Sequence, residues 1–329
     1  MTATYPQAAT RTAPVPAYRA FDVTVSRITR LSPHFIRLTF TGHDLDLFGD
    51  TGLDQRIKVV LPLSANSAAQ LGDDEDPFGH FPRTEDWYAR WRGLPEELRN
   101  PLRTYTIRAA RPELGEVDVD FVSHGETGVA SAWVNRVRTG DSCVLVGPDR
   151  RGDSARVGVE WKPGGATTVL LAGDETAVPA ISSILAALPA HVCGQAFIEV
   201  PAAGDVLPLP APRGVDITWL PRTEIGEPED NHGKRLISAV TTGLSVESRR
   251  TMSEAGFDRA DLDALGARDL GAGPLWETPG SEPGDGMFAW LAGEAHAITT
   301  LRRHLVRERG WDRRRVAFMG YWRAGSSGA

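Results

Sequence analysis

The sequence has few cysteines, and their number excludes two kinds of framework. Only Cys143 and Cys193 occur among 329 residues. Two thiols cannot supply the four thiolates of a plant-type iron–sulfur cluster, and they cannot build a disulfide framework. Both lie in apolar strand-like or loop contexts, so we predict two buried, inert thiols, which is how free cysteines usually behave.

A positive net charge, a long apolar run and a signal peptide are also missing. The formal net charge is −7, whereas nucleic-acid recognition requires a positive face. No apolar run approaches the ~20 residues that cross a bilayer, and residues 1–16 lack the charged and apolar regions of a signal peptide. We therefore expect a cytoplasmic, monomeric protein with no nucleic-acid or membrane partner.

The length bounds the number of domains. At roughly 150 residues each, the chain makes about two domains. Residues 1–16 are rich in Ala, Thr and Pro and predict a disordered tail. We expect residues 17–155 to form the first domain and residues 156–329 the second.

Short β-rich runs, separated by Gly, Pro and Asp turns, fill the first domain. They predict six strands, and six such strands indicate a small antiparallel β-barrel. The predicted strands are residues 21–29, 35–41, 56–63, 102–110, 117–123 and 142–147. One helix, predicted for residues 129–137, interrupts them.

The second domain has a different pattern. Its apolar runs are continuous rather than alternating, which is typical of strands buried on both faces of a parallel sheet. The runs are residues 167–172, 195–200, 216–220, 287–292 and 316–321, and helices are predicted for residues 176–188, 234–244 and 295–308. This order predicts a Rossmann-like α/β domain with a parallel sheet.

Two segments fit neither pattern. Residues 64–101 contain the run Trp87-Tyr88-Ala89-Arg90-Trp91. They form either a surface loop pinned by these aromatics or a lid over a ligand, since loops of this length are often functional. Residues 247–282 are acidic and poorly patterned, and they predict an insertion with a short helix at residues 258–265.

The most informative motif is Arg103-Thr104-Tyr105-Thr106, on the fourth predicted strand. Arg103 and Tyr105 share one strand face, so a guanidinium can bind a diphosphate while the phenol ring lies against an aromatic ring system. The Thr106 hydroxyl points the other way. Some twenty residues later, Gly128-Val129-Ala130-Ser131 opens the predicted helix, whose free amides can bind phosphate. Together these motifs predict a flavin site.

Three further residues near this motif are candidates. Ser131 can add a hydroxyl donor to the phosphate cradle. His124 ends the preceding strand, where a histidine is often an ordinary hydrogen-bonding residue. Asp120 is four residues earlier, on the same strand face as His124, and is the weakest candidate.

A second set of motifs follows predicted parallel strands. Gly173-Asp174-Glu175-Thr176 and Gly293-Glu294-Ala295 each end a strand and open a helix, where open α/β sheets bind ligands. The acidic pair disfavours a phosphate and no G-x-G-x-x-G is present, so a nicotinamide nucleotide is not bound as in dehydrogenases. We place Thr176 near the nicotinamide and flavin rings, with Gly173 allowing close backbone approach. Helix capping is the alternative role of the acidic pair.

The choice between NADH and NADPH stays open. Glu199 ends the second parallel strand, where an acidic residue often bonds a ribose hydroxyl and disfavours a 2′-phosphate. Arg222 and Arg235 lie after the third strand and could attract that phosphate.

Arginines are concentrated near the end of this acidic chain. Residues 302–323 contain Arg302, Arg303, Arg307, Arg309, Arg313, Arg314, Arg315 and Arg323 against only Glu308 and Asp312. Such a cluster can dock an anionic ligand. The alternative is a solvated helix face.

These motifs, with Trp290-Leu291-Ala292-Gly293-Glu294-Ala295 and Gly320-Tyr321-Trp322-Arg323-Ala324-Gly325, occur in the order expected of the siderophore-interacting proteins. The chain resembles this family over roughly residues 17–325. Its members are FAD-dependent ferric-siderophore reductases with a ferredoxin-reductase-like fold. One departure is Val129, where the family usually has Pro. We expect little effect, since Pro at a helix start contributes a preset angle and no ligand atom.

The resemblance implies FAD as cofactor, NADPH or NADH as electron donor and a ferric siderophore as substrate. Thr106 and Thr176 are the implied catalytic positions, and His124 faces the isoalloxazine edge. The implied cofactor-binding residues are Arg103, Tyr105, Thr106, Asp120, His124, Gly128, Val129, Ala130, Ser131, Gly173, Asp174, Thr176, Gly293 and Glu294. Arg323 and Arg302 are the substrate-binding candidates, and no metal-ligand cluster is expected.

Two other functions remain open at this point. One is a general NAD(P)H-flavin oxidoreductase that feeds an electron-carrier protein. The other is a siderophore- or flavin-binding module without turnover.

Overall fold

The structure is a computed structural model that describes residues 16–63, 76–123, 128–152, 156–223, 232–247, 276–277 and 286–325. It consists of a closed six-stranded barrel followed by a six-stranded sheet. The predicted fold class is confirmed. The predicted tail, except for Pro16, and the predicted helix at residues 258–265 lie outside the described residues.

The barrel is antiparallel and closes in the order β1-β2-β5-β4-β3-β6. Its strands are β1 (Tyr18–Arg30), β2 (Phe35–Thr41), β3 (Arg56–Val60), β4 (Leu102–Arg111), β5 (Glu116–Val122) and β6 (Ser142–Pro148). Alternate residues of each strand point inward and form an apolar core that includes Phe21, Leu38, Val59 and Phe121. All six predicted strands are present, although β1 begins earlier and β3 ends earlier than predicted.

The second sheet has the order β10-β12-β11-β7-β8-β9. Its strands are β7 (Thr168–Gly173), β8 (Cys193–Ala202), β9 (Gly214–Thr223), β10 (Trp276–Glu277), β11 (Met287–Glu294) and β12 (Val316–Trp322). Five strands are parallel, as predicted, and β10 pairs with β12 in the antiparallel direction. Apolar clusters cover both faces of this sheet.

Five α-helices lie in the described ranges. They are α1 (Trp87–Gly93), α2 (Val129–Val134), α3 (Val178–Ala187), α4 (Lys234–Glu247) and α5 (Ala295–Arg303). A 3-10 turn, Glu175–Ala177, precedes α3, and a π-helical turn, His304–Glu308, continues α5. Helix α2 is shorter than predicted, because only its first six residues are α-helical.

The described part of the long excursion, residues 76–101, covers one outer face of the barrel. Phe78 and Phe81 are buried against strand residues of β3, β4 and β6, and Trp87 and Trp91 pack beside them. The Trp91 indole also donates to the Asn100 carbonyl, 2.9 Å away. These aromatics therefore pin the segment to the barrel.

The prediction of two buried thiols is wrong for one of them. Cys143 is buried in β6, whereas Cys193 is exposed. Cys193 is the first residue of β8, so it lies at the rim of the sheet before the strand enters the core. Within the described ranges, the helices are all too short or too polar to span a bilayer.

Polar contacts tie the barrel to the sheet. The buried Asp54 carboxylate, just before β3, accepts a hydrogen bond from the Trp290 indole of β11 at 2.9 Å. The Arg56 guanidinium lies over the Trp276 ring of β10, 3.9 Å from its centroid. Trp276 in turn stacks with Tyr321 of β12. The junction thus brings the end of β12 against the outer face of β3 and β4.

Candidate flavin and substrate site

Strand β4 has an open edge where it carries the Arg-x-Tyr-Thr motif. Between Leu102 and Thr106 it pairs only with β3, and pairing with β5 begins at Ile107. The Ile107 amide donates a hydrogen bond to the carbonyl of Gln55, just before β3, and the Pro101 carbonyl accepts one from the amide of Leu61, just after β3. In an antiparallel pair, residues that bond to the partner strand alternate with residues that do not, so the odd-numbered residues of β4 bond to β3. The backbone groups of Thr104 and Thr106 therefore point to the open edge, where a planar heterocycle could bind.

The two sides of this edge carry different groups. Tyr105 packs against Phe121, with ring centroids 4.3 Å apart. Thr106 is buried on the opposite side, and its hydroxyl interacts with the Tyr321 hydroxyl of β12. The structure thus confirms that Tyr105 and Thr106 point opposite ways. A flat ring bound at this edge would have Tyr105 on one side and Thr106 with Tyr321 on the other.

Arg103 lies at the end of the open edge and is half-buried. Its guanidinium donates to the Leu102 carbonyl at 2.8 Å, and no carboxylate of the described residues forms an ion pair with it. Burial lowers the pKa of this side chain, because the charged form loses hydration. A bound diphosphate would offset that cost, so the donor set fits the phosphates of FAD.

The start of α2 completes the predicted cradle. Gly128 precedes the helix with φ +83°, a conformation that favours glycine. No side chain caps this helix start. Val129 is 44% exposed and Ser131 is buried, while Ala130 packs against the barrel core. His124 lies outside the described residues.

The structure gives Asp120 a structural partner rather than an open position. Both of its carboxylate oxygens accept hydrogen bonds from the Arg37 guanidinium, at 2.6 and 2.8 Å. Asp120 is only 6% exposed, and Arg108 approaches it at 3.8 Å. Asp120 therefore joins β5 to the neighbouring strand β2. Its role as a cofactor contact stays a prediction.

At the other side of the junction, hydrogen bonds to Asp174 connect the ends of β7, β11 and β12. It follows β7, and its Oδ1 accepts from the Thr176 amide at 2.9 Å and from the Thr176 hydroxyl. Its Oδ2 accepts from the Glu294 amide at 2.7 Å and from the Trp322 indole at 2.8 Å. Gly173 is required beside it, because a Cβ there would lie 2.5 Å from the Cβ of Ala177.

Gly293 and Glu294 are the matching residues at the end of β11. Gly293 has φ +147°, and a Cβ would lie 2.6 Å from the Asp174 carboxylate. The Glu294 side chain caps α5 by accepting from the His296 and Ala297 amides. The predicted residues of the two strand ends are therefore brought together, and their carboxylates act as helix caps.

Glu199 and Arg222 cannot take the roles considered for them in ribose or 2′-phosphate binding. Glu199 is fully buried and accepts from the amides of Gly233 and Leu236, at 2.7 and 2.9 Å. The Arg222 guanidinium binds both carboxylate oxygens of Glu175, at 2.6 and 2.7 Å. Both side chains face the protein interior because each satisfies buried polar groups there.

Arg302 and Arg323 do not form one site. Arg302 lies over the Phe318 ring, 4.5 Å from its centroid. Arg323 is exposed and comes directly after β12, five residues beyond Phe318 in the sequence. Five residues of strand span about 16 Å. Of these two arginines, Arg323 is the one at the carboxyl edge of the sheet, and the substrate-binding role of both stays a prediction.

Sequence reasoning missed Lys58. It lies on the outer face of β3 between Arg56 and Val60, and its ammonium donates to the Thr104 hydroxyl at 2.6 Å. Burial lowers the pKa of Lys58, and the neighbouring Arg56 acts in the same direction. The register of β3 with β4 places Lys58 opposite Thr104, one residue from the Tyr105 position. Only this register identifies Lys58 as a candidate, and no motif in the sequence marks it.

Asp174 also makes stability depend on pH. Burial, helped by the neighbouring Glu175, raises its pKa from 3.8 to about 7. Between pH 3.8 and about 7 the folded chain binds more protons than the unfolded chain. The contribution of Asp174 to the free energy of unfolding is therefore greatest below the unfolded-state pKa, and it is lost as the pH rises through the folded-state pKa. We expect the Tm of wild type, relative to that of Asp174→Asn, to fall between about pH 4 and pH 7. Paired thermal melts measure this; parallel pH profiles would contradict it.

An antiparallel barrel with an open, arginine-flanked edge, joined to a parallel α/β sheet, defines a flavin-dependent reductase of the ferredoxin-reductase type. The siderophore-interacting FAD-binding domain matches residues 24–152, and the siderophore-interacting protein domain matches residues 166–325. The chain belongs to the siderophore-interacting protein family, and its barrel is an FAD-binding domain.

Relatives align over most of the chain. An uncharacterized protein of Mycobacterium tuberculosis is 33% identical over 316 residues, which cover 93% of this chain and 90% of that protein. The ferric vibriobactin reductase ViuB of Vibrio cholerae is 27% identical, covering 90% and 87%. The NADPH-dependent ferric-chelate reductase of Escherichia coli is 25% identical, covering 92% of each chain.

Solved structures agree with the architecture. The siderophore-interacting protein SipS from Aeromonas hydrophila superposes with a TM-score of 0.61 and 27% sequence identity, and covers 94% of each chain. The ferredoxin-NADP+ reductase of Plasmodium falciparum has a TM-score of 0.51 at 11% identity and covers 92% of this chain and 96% of that one. The latter likeness concerns the fold alone.

Proposed function

We propose that the protein is a cytoplasmic ferric-siderophore reductase that takes electrons from NADPH or NADH and delivers them, through FAD, to siderophore-bound Fe(III). The observation that carries this proposal is the open edge of β4, with the half-buried Arg103 at its end, in a chain of this family. Two relatives are named as ferric reductases. Reduction of Fe(III) to Fe(II) weakens the chelate and releases the metal.

FAD supplies the chemistry of this reaction when bound, because a flavin accepts a hydride and gives up electrons one at a time. The chain supplies binding and orientation. Arg103 and the start of α2 would hold the diphosphate. Thr104 and Thr106 would present backbone groups to the ring edge, with Tyr105 fixing one face.

The acceptor side of the site is cationic. Lys58 lies on the outer face of β3 opposite Thr104 of β4, whereas the neighbouring Arg56 is already paired with Glu160. Exposed Arg323 follows β12, whose residue Tyr321 contacts Thr106. An anionic ferric chelate that approaches the ring edge would meet these charges, which raises its encounter rate.

The proposal is tested by NADH and NADPH oxidation under anaerobic conditions with a ferric siderophore as the only acceptor. Flavin absorbance bands at about 450 nm, bleached by the nicotinamide and restored by the ferric siderophore, are expected. Fe(II) capture by a ferrous chelator should match the donor consumed. Bleaching without reoxidation by any ferric chelate would instead support a general flavin reductase that feeds a carrier protein.

Thr176→Val should slow flavin reduction by the nicotinamide more than flavin reoxidation by the ferric chelate. Thr176 is at the carboxyl end of β7, and its hydroxyl donates to Asp174. We expect a reduction rate lower by roughly fivefold to tenfold, the effect of one lost hydrogen bond, and reoxidation within about twofold. Stopped-flow traces of the two half-reactions measure this.

Thr299→Val is a matched control for this variant. Thr299 also has its hydroxyl bonded within its own helix, to the Ala295 carbonyl. It lies away from the end of β7, and both half-reactions should be unchanged. Equal slowing of both half-reactions in Thr176→Val would indicate a structural role.

Arg323→Glu should raise the apparent KM for an anionic ferric siderophore by about threefold to tenfold at low salt, because it reverses an exposed charge at the proposed docking surface. The difference from wild type should shrink as salt shortens the screening length to below ~10 Å. Reduction of a neutral chelate should be unchanged. Steady-state rates at several salt concentrations measure this.

Arg307→Glu is the control, since Arg307 is exposed on the π-helical turn after α5. An equal effect in that variant would assign the effect to net charge rather than to the position of Arg323. An equal loss with chelates of every charge would mean that Arg323 supports the fold.

A further inference from the structure

The turn between β1 and β2 is a part of the barrel that enters the second domain. Phe35, the first residue of β2, is fully buried in the apolar cluster of the parallel-sheet domain. On the other side of this contact, the short 3-10 turn Ala203–Asp205 follows β8. The two turns pack closely, because a Cβ on Gly204 would lie 3.2 Å from Cγ of Pro33. The contact therefore joins the carboxyl end of β8 to the barrel.

The carboxylate of Asp205 accepts the hydrogen bonds of this contact. Its Oδ1 accepts from the Ser32 hydroxyl at 2.7 Å and from the His34 amide at 2.9 Å. Its Oδ2 lies 2.7 Å from Nδ1 of His34 and accepts from the Ala202 amide at 3.1 Å. We name Ser32, His34 and Asp205 the junction cluster.

Asp205 is ionised although it is fully buried. Burial raises the pKa of its carboxyl group, but the hydrogen bonds from Ser32 and His34 outweigh burial and hold the pKa below its usual value. An ionised carboxylate only accepts, so the His34 ring carries a hydrogen on Nδ1. A donor that moved away would leave part of a buried charge unsatisfied, which is costly. The second domain therefore holds the turn that carries Ser32 and His34 in one position.

Further hydrogen bonds continue from His34 to the flavin side of the barrel. The His34 carbonyl accepts from the amide of Ser123, 2.9 Å away. Ser123 comes directly after β5 and is buried. Its hydroxyl donates to Oδ1 of Asn135 at 2.8 Å, and Asn135 is the C-terminal cap of α2. The contacts thus run from Asp205 through His34 and Ser123 to α2.

The end of β5 also supports the ring side of the open edge. Phe121, two residues before Ser123, packs against Tyr105 with ring centroids 4.3 Å apart. It also packs against Trp133 of α2, with 5.7 Å between the centroids. Two residues of strand span about 7 Å, so the position of Ser123 constrains the ring that lies behind Tyr105.

We propose that His34 and Asp205 are positioning residues for the flavin: through the junction cluster, the second domain holds the end of β5 and α2 in the arrangement that binds FAD. This inference rests on the proposed function, in which this side of the barrel holds the flavin. Its physical basis is preorganisation, because a segment that is already fixed loses less conformational entropy when the ligand binds. The FAD affinity of the barrel therefore depends on Asp205, a residue of the other domain.

The first test measures the Kd for FAD by fluorescence titration of the full-length, FAD-free protein. His34→Ala removes one donor from Asp205, and the Kd should rise by about threefold to tenfold, the range of one hydrogen bond. His34→Asn keeps a side-chain N–H donor near the place of Nδ1, so its Kd should stay within about twofold of wild type. An unchanged Kd in His34→Ala overturns the inference, and so does equal weakening in both variants.

His304→Ala is the matched control for His34→Ala. His304 also has its Nδ1 2.7 Å from a carboxylate, that of Glu308, and it lies on the π-helical turn after α5. Its removal should leave the Kd for FAD unchanged. An equal rise in the Kd of both alanine variants contradicts the proposal.

The second test needs no FAD. Hydrogen–deuterium exchange of the FAD-free protein is followed in peptides that contain Ser123 or α2, and in peptides from β3 and β6. In His34→Ala the first group should exchange about threefold to tenfold faster than in wild type, because local opening costs one hydrogen bond less. The second group should exchange as in wild type. Faster exchange throughout the barrel would assign His34 to general stability and overturn its positioning role.

The outcomes separate this inference from the proposed function. If wild type binds no FAD, both are overturned. If Arg103→Ala weakens FAD binding and His34→Ala does not, only this inference is overturned. If His34→Ala does not fold, Ser32→Ala, which removes a different donor from Asp205, takes its place in both tests.

Discussion

Arg103→Ala is expected to lose FAD on gel filtration while the barrel stays folded. The guanidinium is half-buried at the open edge of β4, and no described carboxylate pairs with it. A charged, bidentate contact to a diphosphate is worth about 1.5–3 kcal/mol, so the Kd for FAD should rise by roughly 10- to 150-fold. The ratio of flavin to protein absorbance after gel filtration, and a fluorescence titration with added FAD, measure this.

Arg27→Ala is the control for that experiment. Arg27 is an exposed arginine on β1 that pairs with Glu116 at 3.8 Å, and its removal should change neither FAD content nor the circular dichroism of the barrel. Full FAD occupancy in Arg103→Ala would mean that the diphosphate binds elsewhere. Loss of FAD together with loss of the fold would assign Arg103 a structural role.

Arg222→Ala should be the most destabilising single change in the parallel sheet. The variant leaves the Glu175 carboxylate without its bidentate partner and removes a contact of Glu199. Removing one partner of a buried ion pair costs about 3–5 kcal/mol, because an uncompensated charge stays buried. We expect a Tm lower by on the order of 10 °C, measured by scanning calorimetry.

Two further variants show whether the buried charge is the cause. Arg213→Ala removes an exposed arginine just before the same strand and should leave the Tm unchanged. Arg222→Met combined with Glu175→Met replaces the ion pair with apolar side chains of similar length, and it should recover much of the loss. A double variant as unstable as Arg222→Ala would point to packing rather than charge.

The strands were predictable because their patterns are local. Continuous apolar runs such as residues 287–292 identify buried parallel strands, and β11 is Met287–Glu294. The ends of elements were less predictable, because hydrogen bonds with distant residues set them. Cys193 illustrates this: its apolar neighbours suggested burial, but its place at the first position of β8 leaves it exposed.

The site was predictable in its residue types and only partly in their roles. Glycine and acidic residues after a strand indicate a ligand-binding turn, and Asp174 and Glu294 do meet there. The sequence cannot tell a carboxylate that faces a ligand from one that caps its own helix. That distinction depends on the positions of the His296, Trp322 and Thr176 donors, which the fold alone decides.

The open edge of β4 could not be read from the sequence at all. The edge is open because β5 pairs with β4 only from residue 107 onward, and the rest of β5 pairs with β2 alone. Lys58 became a candidate only through the same register. Such features depend on long-range pairing, which has no local signature.

The position of β12 has a consequence for biosynthesis. All six barrel strands lie within the first 148 residues, so the barrel can fold on the ribosome while the sheet is still being translated. Tyr321, however, reaches Thr106 from the last strand, and Trp322 reaches Asp174 from the same place. The side of the β4 edge that Tyr321 covers is therefore completed only after β12 has been translated, later than the barrel strands that form the edge itself.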